Sequence, residues 1–131
     1  MPFRCQRGNA VYDPCFSNTR GPERDVVCPQ APWSKRVVLM RLTKPLPSGN
    51  AFTQNPLRAE PWGIVTTGGA RCRSIATGTI SVASMRVSYL CSNGAYLVGE
   101  TRRAAQPWKI FLLRGERAND LTDVSIAGAW R

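Results

Sequence analysis

Two cysteines, Cys72 and Cys91, each lie inside a β-patterned run with glycine turn signals on either side. A chain that bonds them must double back between the two runs, so this pair constrains the fold more than any other feature. Bringing Cys72 opposite Cys91 places the bend near Ile80 and Ser81 and aligns RCRSIA with MRVSYLC as antiparallel neighbours. A bridge there closes a loop of about 20 residues, worth roughly 3 kcal/mol through lost unfolded-chain entropy. The stretch 61–99 is the centre around which the rest is organised.

The flanking runs share this character. Residues 37–42 (VVLMRL) read as a strand apolar enough for burial on both faces, ended by TKPLP. Strands 62–67 and 70–76 flank Gly68-Gly69, a hairpin signal. A further strand runs from Thr79 to Cys91 with a break at Ala83-Ser84. Ser92-Asn93-Gly94 then turns the chain into 95–99, because Asn-Gly readily takes the positive φ of tight hairpins. Strands 108–113 and 124–130 follow, and alternation in the last puts Val124, Ile126, Gly128 and Trp130 on one face.

No segment repeats apolar residues at helical spacing, beyond one helical turn expected at 118–122. The fold class is therefore all-β, a small and mostly antiparallel barrel or sandwich. Residues 1–34 hold three cysteines and five prolines without a period, and read as an irregular, disulfide-stapled cap. With a β core at 35–131 they make a single domain over 1–131. The polar stretch 48–60 reads as a mobile surface loop.

Five cysteines are many for a cytosolic domain of this size, none lies in a CxxC pair, and there is no histidine. Zinc sites favour short-spaced pairs, so no metal or other cofactor is expected. Two disulfides with one cysteine left over fit better, and imply an oxidising compartment. Cys15–Cys28 would staple the polar loop between them, with Cys5–Cys15 as the rival that sequence alone does not decide. The start, MPFRCQRGN, has no apolar h-region of a signal peptide. Cysteine use nevertheless favours a secreted or cell-surface protein whose leader has been removed. No run of 18 apolar residues offers a membrane span.

Several short pieces form a recognisable set: NAVYDPCF, CPQAPW, LTKPLP, PWGIVTTGGARC, YLCSNG, PWKI and the terminal AGAW. In these the chain resembles a group of small actinobacterial proteins that are exported or displayed outside the cell. The resemblance implies an extracytoplasmic location and disulfides, and no catalytic residue comes with it.

The lack of histidine removes Ser-His-Asp and Cys-His machinery and histidine-ligated metals. Glu60 and Glu100, flanking the central hairpin, are the one carboxylate pair that a histidine-independent hydrolase or transferase would use. Against that stands a net charge of +10, carried mainly by arginine, which attracts polyanions. Three Pro-Trp pairs, at Trp33, Trp62 and Trp108, place tryptophans at strand starts, as corner plugs or as aromatic platforms.

These features favour a non-catalytic extracytoplasmic binding module for an anionic envelope polymer or a protein partner. Arg71, Arg73, Arg86, Trp62 and Trp108 are its expected contacts. A cytosolic nucleic-acid-binding barrel is the weaker alternative, since the basic and aromatic interleaving of an RNA-binding sheet is missing.

Overall fold

Alternating apolar patterns and frequent turn residues make strands the dominant regular structure of this chain, and no α-helix occurs among the described residues. These are residues 3–18, 20–22, 24–46, 60–75 and 79–131 of a computed structural model. The all-β, mostly antiparallel class read from the sequence is the one adopted. Two compact units, Met1–Arg58 and Ala59–Arg131, each carry their own sheet. Apart from Glu60, the loop read at 48–60 lies outside the described residues.

In the first unit, β1 (Phe3–Arg7), β2 (Ala10–Ser17), β3 (Asp25–Pro29) and β4 (Val37–Arg41) form an open antiparallel sheet in chain order. Three of these strands lie where no period was evident, and in β2 Pro14 interrupts the pairing. Phe3 pairs with Cys15 but Cys5 pairs with Tyr12, so Asp13 and Pro14 share a bulge. No ladder donor is required there, and proline is tolerated. Arg4, opposite the bulge, donates from Nε to Asp13 at 2.8 Å.

Strand β2 meets β3 only at Phe16–Val27 and Ser17–Val26. The Cys15–Cys28 disulfide extends this short seam by one position. Cys5, Cys15, Val26, Cys28 and Met40 form the buried core. Strand β4 departs from the expectation of two buried faces: Val37 and Leu39 are exposed and only Met40 is buried. It is an edge strand of a sheet with one covered face, where alternate side chains meet water.

In the second unit the strands are β5 (Gly63–Thr66), β6 (Arg71–Ser74), β7 (Ile80–Val82), β8 (Met85–Cys91), β9 (Tyr96–Arg102), β10 (Lys109–Leu113) and β11 (Leu121–Trp130). A 3₁₀ turn at Ala118–Asp120 occupies the expected helical position. Six strands close into an antiparallel barrel in the order β6-β5-β11-β10-β9-β8, with β8 returning to β6. One circuit of paired residues runs Trp130, Gly63, Arg73, Leu90, Tyr96, Leu113 and back to β11 at Leu121. The nine-residue offset between Trp130 and Leu121 is the stagger that lets tilted strands close.

The central expectation holds: Cys72 pairs with Cys91, Arg73 with Leu90 and Ser74 with Tyr89, and the two cysteines are bonded. The bend is elsewhere. Ile80 and Ser81 belong to β7, which pairs with β8 along its first half, and the chain turns at Ala83-Ser84 instead. Both turn residues have positive φ, 50° and 62°, as a tight two-residue hairpin demands. Inside the barrel, Ile64, Cys72, Tyr89, Leu97, Ile110, Leu112 and Ile126 make the core.

Two bulges reverse the side-chain alternation. Val87 pairs with Val98 and Tyr89 with Leu97, so Ser88 is the extra residue, and its hydroxyl donates to Gly99 O at 2.7 Å. Tyr89 and Leu97 therefore face inward, while Val87 and Val98 join Leu113 in a separate outer cluster. Ala127 is the second bulge, since Ile126 pairs with Thr66 and Gly128 with Val65. It corrects the single-face reading of the last strand: Ile126 points inward and Trp130 outward.

A basic and aromatic rim as candidate binding site

Alternate strands of an antiparallel barrel begin and end at the same rim. Here the C-terminal ends of β6, β9 and β11 meet the starts of β5, β8 and β10. That rule gathers residues far apart in sequence at one open end. They are Arg73, Arg102, Arg103 and Arg131 with Lys109, beside Trp62, Trp108 and Trp130. Arg86 starts β8 at the same end.

Trp108 is the anchor. Pro107 precedes it just before β10, and its ring packs against the barrel core, so it serves as the plug that the Pro-Trp pattern suggested. The guanidinium carbons of Arg103 and Arg131 lie 5.0 and 5.3 Å from its ring centroid, within cation–π range. Beside it runs an open groove of about 240 Å³, lined by Gln106, Pro107, Trp108 and residues 126–129. The Ala127 bulge and the small side chains at 127–129 keep that groove clear. Trp62 is half-buried; its N–H donates to Trp130 O and its carbonyl accepts from Ser74, continuing the ladder.

Glu60 is built into this rim as a structural carboxylate. Its Oε2 accepts from Thr101 Oγ1 at 2.9 Å and from Thr101 N at 3.4 Å. Oε1 faces Arg103 Nη2 at 3.4 Å, and Arg103 Nε donates to Thr101 Oγ1 at 3.3 Å. Beneath it the buried Tyr89 hydroxyl donates to Pro61 O at 2.7 Å. Burial first, and Glu60 second, hold that phenol well above its ordinary pKa, so it stays a neutral donor. Glu100 is exposed, and no hydrogen bond joins it to Glu60 among the described residues.

The five expected contacts are distributed as follows. Arg71 and Arg73 flank inward-facing Cys72 and project together from the outer face of β6, both exposed. Neither guanidinium makes an ion pair among the described residues. Arg73 lies in one outer row with Gly63 and Trp130, and so belongs to the rim. Arg86 is parted from them by the Ser88 bulge: its neighbour Val87 faces the outer cluster, and Arg86 takes the other face beside Ser81. Trp62 and Trp108 are at the rim.

Sequence reading missed Arg103, Arg131 and Trp130. The Arg102-Arg103 doublet was a visible signal, whereas nothing local marks Arg131. Arg102 stacks over Phe111 at 4.1 Å and pairs with Asp123, which Lys109 also approaches.

Spacing argued against metal ligation, yet three strands converge on a sulfur cluster. The Cys5, Cys15 and Cys28 Sγ atoms all lie within 4.8 Å of one another. With Cys15 bonded to Cys28, one buried thiol, Cys5, is left. Compared with protein-family models, curated proteins and solved structures, the chain matches none. No helix is long and apolar enough to cross a membrane among the described residues.

Proposed function

We propose that this protein is a non-catalytic extracytoplasmic binding module that holds an anionic envelope polymer at the barrel rim. The observation that carries the reading is the pair of guanidinium groups of Arg103 and Arg131 against Trp108 at the open end, with Arg73 exposed in the outer row of Gly63 and Trp130 at the same rim. Guanidinium groups bind phosphate or carboxylate in a forked geometry, and Trp108 positions two of them at the rim through cation–π contact. A rigid barrel limits the ordering cost of binding. Two disulfides support a compartment outside the cytoplasm, in keeping with the exported actinobacterial group that the sequence resembles. The net charge of +10 favours approach of a polyanion from long range.

Binding isotherms with heparin-like and teichoic-like polymers across a salt series test this. The double variant Arg73→Ala/Arg131→Ala should bind roughly tenfold more weakly, about 1.4 kcal/mol, with a shallower salt dependence. Arg114→Ala/Arg117→Ala, which removes the same charge from the opposite end, should bind nearly as wild type does. Equal losses in both variants would reduce the rim to one part of a diffuse charge. A protein partner is the second reading, favoured by Ile80 and Phe111 standing exposed beside the outer cluster of Val87, Val98 and Leu113.

A further inference from the structure

Within Met1–Arg58 a free thiol lies against a disulfide. Cys5 on β1, Cys15 on β2 and Cys28 on β3 contribute sulfurs mutually within 4.8 Å, and all three are buried. Strand order favours one new bond over the other. Strand β2 lies between β1 and β3, so Cys5 stands one strand from Cys15 and two strands from Cys28. Cys5 and Cys15 are on adjacent strands, one diagonal step apart, since Phe3 pairs with Cys15.

We propose that Cys5 is an intramolecular exchange partner for the Cys15–Cys28 bond, so that this unit interconverts between a Cys15–Cys28 and a Cys5–Cys15 isomer. The Cys5 thiol loses its proton to solvent and the thiolate attacks Cys15 Sγ. The Cys5–Cys15 bond forms as the Cys15–Cys28 bond breaks, and its electron pair leaves on Cys28 Sγ, which takes up a proton. No oxidant or reductant is consumed. Burial, with Asp13 nearby, keeps the Cys5 thiol protonated above its ordinary range. Exchange thus belongs to the minutes-to-hours regime of uncatalysed rearrangement.

The exchange moves the staple. In one isomer it reinforces the β2–β3 seam, which has just two registered pairs. In the other it closes the β1–β2 hairpin, and leaves β3 joined to β2 by that short ladder alone. Arg20 and Arg24 lie in the connection between β2 and β3, so the exchange changes the tether of that connection.

Thiol mapping of the intact protein tests this. After incubation in mildly alkaline buffer without reductant, the sample is acid-quenched and its free thiols are labelled with a maleimide in denaturant. Cleavage at Arg7, Arg20 and Arg24 puts the three cysteines on separate peptides. The expected result is label on the Cys28 peptide, rising with time, matched by a Cys5–Cys15 bridged peptide. In Cys5→Ala, where no attacking thiol exists, Cys28 should stay unlabelled. Label confined to Cys5 in the wild type would overturn the proposal, as would equal labelling of Cys28 in Cys5→Ala.

Discussion

Individual residues with unusual backbone or burial carry the sharpest consequences. Ala83 and Ser84 turn the β7–β8 hairpin with positive φ at both positions, a region that side chains with a Cβ occupy at a cost. Asparagine and glycine suit such a turn better. Ala83→Asn/Ser84→Gly should therefore stabilise the protein by about 1 kcal/mol, read as a higher denaturant midpoint at unchanged slope. Tyr89 supplies the second case. Its phenol is neutral in the fold and raised above the value of 10.0 that it would have when unfolded. The folded state thus keeps a proton that the unfolded chain releases. This contribution is fully present below about pH 10 and declines as pH rises beyond it. Tyr89→Phe should flatten that alkaline decline, while losing about 1 kcal/mol with the bond to Pro61 O. Unfolding curves across the alkaline range separate the two effects.

Among the elements, the β6–β8 contact is the one that closes the barrel. It consists of three registered pairs, with the Cys72–Cys91 bond at one of them. Cys72→Ala/Cys91→Ala should cost about 3 kcal/mol, and amide exchange should accelerate first in β6 and the adjoining half of β8. Uniform acceleration across the barrel would mean that this seam is not its weak point. The two bulges act at the same scale. Without the extra residue at Ser88, Tyr89 would exchange faces with its neighbours and lose both the core and its bond to Pro61. Without the one at Ala127, Trp130 would share a face with Ile126, and the outer row with Arg73 would lack its tryptophan.

Over the whole molecule the excess of arginine has a thermodynamic consequence. Eight acidic side chains face eighteen basic ones, and several acids are committed to local pairs: Asp13 with Arg4, Asp25 with Arg41, Glu60 with Arg103, and Asp123 with Arg102. The remaining positive charges repel one another, so moderate salt should raise the melting temperature through screening while weakening polyanion binding. Arg73→Ala/Arg131→Ala, with two fewer positive charges, should show a smaller salt-induced rise. A melting temperature that falls with added salt would indicate that attractive pairs outweigh this repulsion.

Much of the architecture was legible from residues alone, because strand alternation, glycine turns and the Cys72–Cys91 register are written in neighbouring stretches of chain. Asn93-Gly94 announces its hairpin by composition, and two cysteines in matching β runs announce their pairing. Pro14 hid the strand around it, since the bulge that accommodates a proline has no signature of its own. The basic and aromatic rim lay further out of reach. A one-residue bulge at Ser88 or Ala127 reverses every side chain beyond it, and neither residue type signals that reversal. Barrel closure then brings together Arg73, Arg103, Trp108 and Arg131, which share no local pattern. The sequence by itself determined the strands, their class and the central disulfide, through interactions between near neighbours. Only the tertiary structure decided which faces and which rim those strands present, because parity and closure depend on every bulge and pairing between distant segments.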